Sequence, residues 1–98
     1  MDIEIRHERH DQQGRYHLVL DGSEAGELDY RDDDEGRRTF THTGVRPEHE
    51  GHGYAAQLVR RGLDDARTDG RTVIPQCSYV AAYLAQHPDD LDLLATVD

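Results

Sequence analysis

The apolar residues of this chain change their period once, near Gly53, and that change constrains the fold more than any other feature. Before it, short runs alternate apolar and polar residues and are cut by turn residues every few positions, the pattern of antiparallel strands. After it, Ala55, Leu58, Val59, Gly62, Leu63 and Ala66 recur at helical spacing and draw one apolar stripe. A chain with this order must lay at least one helix on a sheet built mainly from hairpins.

Ile3 and Ile5 alternate with charges as far as His10, and Asp11 to Gly14 forms a turn. Tyr16, Leu18 and Leu20 then share one face of a second strand, and Asp21-Gly22 is a strong hairpin signal. A third strand from Glu24 to Arg31 carries Gly26, Leu28 and Tyr30 on one face, and an acidic loop follows from Asp32 to Gly36. The fourth strand, Arg37 to Val45, sets Thr39, Thr41 and Thr43 against Phe40 and His42. The amphipathic helix spans about Gly53 to Asp69 and ends where Gly70 stands as a cap. Thr72 to Ile74 is a short fifth strand closed by Pro75, Ser78 to Gln86 reads as helical, and His87-Pro88 breaks into a last short helix. The order is ββββαβα, an α+β fold, and a length of 98 residues has room for one core and therefore one domain, 1–98.

Composition removes several function classes. All 11 basic residues are arginines, so neither a phosphate-loop lysine nor a Schiff-base lysine is available. Against 21 acidic residues they leave a formal charge of -10, which repels nucleic acid and anionic membranes at long range. Acidity of this kind favours solubility and would also suit an amine-bearing partner. No apolar run approaches the ~18 residues of a membrane span, and the start MDIEIRHERH is too charged for a signal peptide, so a soluble, cytoplasmic chain is expected. The single cysteine, Cys77, can form no internal disulfide. His7 and His10 fall on opposite faces of a strand while His49 and His52 share a loop, so no metal site is expected.

The segment from Val45 to Ala55, VRPEHEGHGYA, carries the clearest chemistry. It runs from a strand straight into the start of the amphipathic helix. Glycines let backbone approach an anion closely, and the first amides of a helix have no intrahelical acceptor, so such a loop can cradle a pyrophosphate. The same glycines would also serve a plain tight turn.

The run TFTHTGVRPEHEGHGYAAQLVRRGLDDAR, followed by TVIPQCSYVAAYLAQHPD, resembles the GNAT acetyltransferase superfamily, in particular its small YjdJ-type branch, over Arg38 to Leu94. The resemblance implies a curved, mostly antiparallel sheet with the coenzyme A loop between the fourth strand and the main helix. It implies acetyl-CoA as cosubstrate and an amine, on a small molecule or a protein, as acetyl acceptor. Gly53 and Ala55 match the last two positions of the superfamily's [Q/R]-x-x-G-x-[G/A] loop, with Glu50 in place of glutamine or arginine. The amides of Gly51, His52, Gly53, Tyr54 and Ala55 would then hold the pyrophosphate, with Val45 beside the pantetheine arm. Arg46, Arg60 and Arg61 are candidates for the remaining phosphate charge.

The resemblance also places Cys77 near the thioester, just before a helix whose dipole would lower its pKa. It could be a nucleophile, an acid for the departing thiolate, or a small buried hydrophobe. Tyr79 and Tyr83 lie four apart on one helix face, where a phenol could protonate the sulfur or the pair could simply pack. Aligning Ala81 and Leu84 with the superfamily's N-x-x-A-x-x-L pattern puts Ser78 at the asparagine and Ala85 at the usual acid tyrosine. His42, on the strand that borders the acetyl site in the resembled fold, is the candidate base or a structural histidine. The larger relatives' helices between the first two strands have no counterpart here, so the acceptor pocket is expected to be open or completed by a second copy in a homodimer. A non-catalytic acyl-CoA-binding or sensing module, and a scaffold with no ligand, are the rival readings.

Overall fold

A computed structural model describes residues 2–95. Four strands follow one another as hairpins: β1 (Ile3–His10), β2 (Gln13–Leu20), β3 (Ser23–Asp32) and β4 (Arg37–Val45). The Asp21-Gly22 turn has positive φ at both residues, 49° and 85°, the mirror-image turn whose twist matches a hairpin. A short 3-10 turn over Pro47–His49 leads to α1 (Tyr54–Thr68), then β5 (Thr72–Pro75), α2 (Ser78–Ala85) and a final 3-10 segment, Pro88–Leu93. The sheet order is β1-β2-β3-β4-β5, antiparallel except where β5 joins β4 in parallel through α1. The expected order and topology are those observed.

The helices cover one face of the sheet. Tyr16, Leu18, Leu20, Leu28, Tyr30 and Phe40 from the strands meet Leu58, Val59, Leu63 and Ala66 of α1 and Val80 and Leu84 of α2 in one core. The strand residues sit two apart and the α1 residues follow the predicted stripe, so each element presents one apolar side to the same layer. Gly62 lets α1 settle close to the sheet: a Cβ there would stand 2.7 Å from Leu28 Cδ2 and 3.0 Å from Phe40 Cε1. Among the described residues no helix covers the opposite face, which carries charged side chains, including the Arg15–Asp29 pair at 2.6 Å.

Two expectations need correction. The acidic loop does not begin at Asp32; Asp32 ends β3, is 5% exposed, and binds the fully buried Arg38 through Nε at 2.7 Å and through a terminal nitrogen at 3.1 Å. Arg9 and Arg71 reach the same carboxylate at 2.8 and 3.3 Å, so three guanidinium groups offset the cost of burying it. The alternation expected along β4 also breaks. Between Asp29 and Tyr30 the register with β4 shifts, Asp29 opposing His42 and Tyr30 opposing Phe40, so Thr41 is an extra, bulged residue. The bulge reverses the faces beyond it. Phe40 and Thr43 both lie on the helix side, and His42 lies on the helix-free side opposite Asp29.

Candidate functional site

Strands β4 and β5 pair only over Arg37–Phe40 and Thr72–Pro75. Pro75 ends the pairing because it has no amide hydrogen to donate. One further bond closes the junction, the Cys77 amide donating to the Phe40 carbonyl at 2.9 Å, and the chain then turns into α2. From Thr41 to Val45, β4 continues with β3 on one side and no strand on the other. The gap so formed is a cavity of about 380 Å³, walled by Thr43, Gly44 and Val45 along the strand and by Tyr79 from α2.

The far end of this cavity is the glycine loop. His49, Glu50, Gly51, Gly53, Tyr54 and Ala55 line it. Gly51 and Gly53 have φ of 84° and 78°, left-handed values that glycine adopts without strain. A Cβ at either position would meet nothing within 4 Å, so the loop backbone faces open space. Gly53 is also the N-cap of α1 and brings no side chain to its first turn. Within the helix the amides of Ala55 and Ala56 have no acceptor, and they point out at the cavity end of the dipole. A diphosphate fits a pocket of this kind: space, turned backbone and a helix N-terminus converge. Glu50 is the one carboxylate on the cavity wall.

The cysteine lies at the other end. Cys77 Sγ is 3.4 Å from the Thr43 hydroxyl, and Cys77 is the extended residue that caps α2. Burial pushes its thiol up, but hydrogen bonds from Thr43 and from the Val80 and Tyr79 amides outweigh that and hold it below its ordinary value. Lining the cavity from loop to cysteine, the structure brings together Val45, Glu50, Gly51, Gly53, Tyr54, Ala55 and Tyr79, with Cys77 next to Thr43.

Other sequence candidates stand elsewhere. Arg60 is fastened to Asp64 at 2.8 Å and to Asp90 at 2.6 Å, away from the loop. Arg61 binds Asp65 at 3.0 Å and covers the Tyr16 ring. Tyr83 stacks on His87 at 3.8 Å and meets Arg60, one turn beyond the cavity. His52 is exposed and tilts against the Tyr54 ring at 5.6 Å without lining the cavity. Arg46 donates to the Glu24 carbonyl at 2.7 Å. His42, turned to the helix-free face, pairs with Glu27 at 3.0 Å. Thr43, Gly44 and His49 were not singled out from sequence. Thr43 reaches the site because of the bulge at Thr41, for which the strand pattern carries no signal. Among the described residues no three His, Cys, Asp or Glu side chains converge to hold a metal, and no helix is long and apolar enough to cross a membrane.

Comparison with known proteins agrees with this geometry. No curated protein matches the sequence. The solution structure of a GCN5-like protein from Staphylococcus aureus superposes with a TM-score of 0.73 at 22% identity, over 97% of this chain and 90% of that one. A GNAT family acetyltransferase from Elizabethkingia anophelis, solved with acetyl-CoA bound, gives 0.66 at 14% identity over 86% and 72% of the two chains. The ribosomal-protein-alanine N-acetyltransferase of Brucella melitensis gives 0.65 at 17% identity, over 91% of this chain but 66% of that one. At these identities the likeness establishes the fold. The model of the GCN5-related N-acetyl-transferase family matches residues 15–93, from β2 to the end of the last 3-10 segment, and the chain therefore belongs to that family.

Proposed function

We propose that this chain is an acetyl-CoA-dependent N-acetyltransferase of the small YjdJ-type branch, acting on an amine. The observation that carries the reading is the parting of β4 from β5 beside the glycine loop, which leaves a strand edge and the turned glycine backbone along one cavity, with a thiol in contact with its Thr43 wall. In this reading the amides of Gly51 to Ala55 hold the diphosphate of coenzyme A, and the free edge of β4 from Thr43 to Val45 offers backbone groups to the amides of the pantetheine arm. Bound there, acetyl-CoA supplies a thioester as the acetyl donor. The chain's part is to fix it against the acceptor amine, where positioning contributes most of the acceleration. Cys77 and Tyr79 border the thioester end; the lowered thiol is suited either to take the acetyl group or to protonate the departing sulfur.

One observation favours a second reading, an acyl-CoA-binding module without turnover. Tyr83 is engaged with His87 and Arg60 and does not line the cavity, and Glu50 sets a carboxylate on the wall beside the proposed diphosphate site. Calorimetric titration with acetyl-CoA, followed by mass spectrometry of the same sample, separates the two. Binding with acetyl on Cys77, or with amine-dependent release of free CoA, is the expected result. Saturable binding with neither supports the module, and no binding at millimolar acetyl-CoA removes both.

A further inference from the structure

The histidine–carboxylate pair on the helix-free face stands at one special place in the sheet. His42 is one residue from Thr43, which touches Cys77; strand alternation sends the two side chains to opposite faces of β4, and the bulge at Thr41 decides that Thr43 takes the helix side. This stretch of β4 has no β5 neighbour, so the sheet is open between the faces there and nowhere else along β4. A group at His42 therefore approaches the cavity through the gap, from the face the helices leave uncovered.

Glu27 holds the imidazole. Its Oε2 is 3.0 Å from His42 Nε2, and its carboxylate is three-quarters buried. The register sets Glu27 opposite Gly44, and a Cβ at Gly44 would fall 2.3 Å from Glu27 Oε2 and 3.1 Å from His42 Nε2. Any other residue at 44 would displace the carboxylate or the ring, so the glycine makes the room in which the pair meets. The surroundings hold Glu27 to this one partner. Asp29, opposite His42, is taken by Arg15 at 2.6 Å, and His17, opposite Glu27, is taken by Glu8 and Glu24. Arg31 further along β3 reaches Gln76, at 3.5 Å.

We propose that Glu27 is a positioning residue that orients His42 as the proton acceptor for the incoming amine, Gly44 providing the space; this rests on the acetyltransferase reading above. With Nε2–H donated to Glu27, Nδ1 is the basic nitrogen. It takes the proton from the ammonium form of the acceptor, whose freed lone pair attacks the thioester carbonyl. The carbon–nitrogen bond forms, the carbon–sulfur bond breaks, and the nitrogen's second proton passes to the departing CoA thiolate, giving the amide, free CoA and a protonated His42 that returns its proton to solvent.

The test measures release of free CoA from acetyl-CoA with butylamine as acceptor probe, alongside calorimetric binding of acetyl-CoA. His42→Gln is expected to lower kcat by roughly 100-fold, and Glu27→Gln by about tenfold, both with acetyl-CoA affinity unchanged. Once His42 is glutamine, Glu27→Gln is expected to cost nothing further, which a purely structural carboxylate would not do. Imidazole added to His42→Gly is expected to restore part of the rate, and His10→Gln, an exposed histidine paired with Glu8, to leave it unchanged. Independent losses in the double variant, full activity in either single variant, or acetyl-CoA binding by the wild type without amine-dependent release would each overturn the pair's role and leave the cavity reading standing. Failure of the wild type to bind acetyl-CoA would instead overturn the cavity reading, and this proposal with it.

Discussion

At the scale of single residues, the glycines of the loop and the buried aspartate make separable demands. Gly53 serves two ends at once, a left-handed turn and an open helix N-terminus. Aspartate is among the side chains that enter the left-handed region most readily, at about 1 kcal/mol, so Gly53→Asp should lower the melting temperature only modestly. Its carboxylate would stand where the diphosphate is proposed to bind, so acetyl-CoA affinity should fall more than tenfold by calorimetry. Asp32 presents the opposite case. Its carboxylate is 1% exposed and its principal partner, Arg38, is 0% exposed. Burial raises Asp32, and the Arg38 guanidinium outweighs that and holds it below the usual carboxylate range. Asp32→Ala removes the buried partner of a fully buried guanidinium and leaves it the half-exposed Asp69, at 3.1 Å, so it should cost about 3 kcal/mol in chemical denaturation. One terminal nitrogen of Arg38 already has no hydrogen-bond partner among the described residues.

At the scale of elements, α1 and the bare face of the sheet can each be tested. The helix is held against Leu28 and Phe40 by the lack of a side chain at Gly62. Gly62→Val should destabilise the fold by about 1–3 kcal/mol through overpacking, read as a lower denaturation midpoint with an unchanged slope. On the bare face, burial lowers His17, but Glu8 and Glu24 on either side outweigh it and leave it raised. A raised folded-state value means a stabilising contribution that is complete below the unfolded value of about 6.5 and lost as pH rises through the folded one. His17→Gln should therefore reduce the melting temperature more at pH 6 than at pH 8.5, measured as a difference from wild type because His7, lowered chiefly by burial, has the opposite sign. The elements themselves were readable from the pattern: period 2 before the loop, period 3.6 after it, and prolines at the ends of β5 and α2.

At the scale of the whole molecule, the charge of -10 acts on any anionic ligand before contact. Acetyl-CoA carries several negative charges, so its association should accelerate by severalfold as ionic strength rises from about 10 to 150 mM, where the screening length shrinks from about 30 to 8 Å. Stopped-flow association rates would measure this. A rate that falls with salt would mean that the loop and the α1 dipole outweigh the net charge at the cavity mouth.

The sequence by itself determined the order of elements, the buried stripe of α1, the hairpin turns and the glycine loop at the helix start. Each depends on residues within about one turn or one strand of each other, and local periodicity reports such features directly. It also pointed to Cys77 and to most of the cavity lining, because that loop and the block after β5 are continuous in the chain. Only the tertiary structure decided the rest. The bulge at Thr41, the burial of Asp32 against Arg38, Arg9 and Arg71, and the capture of Arg60 by Asp90 all join residues through neighbours in space. A bulge is set by the register between two strands, and an ion pair by which groups meet after packing, so neither leaves a period for the sequence to display.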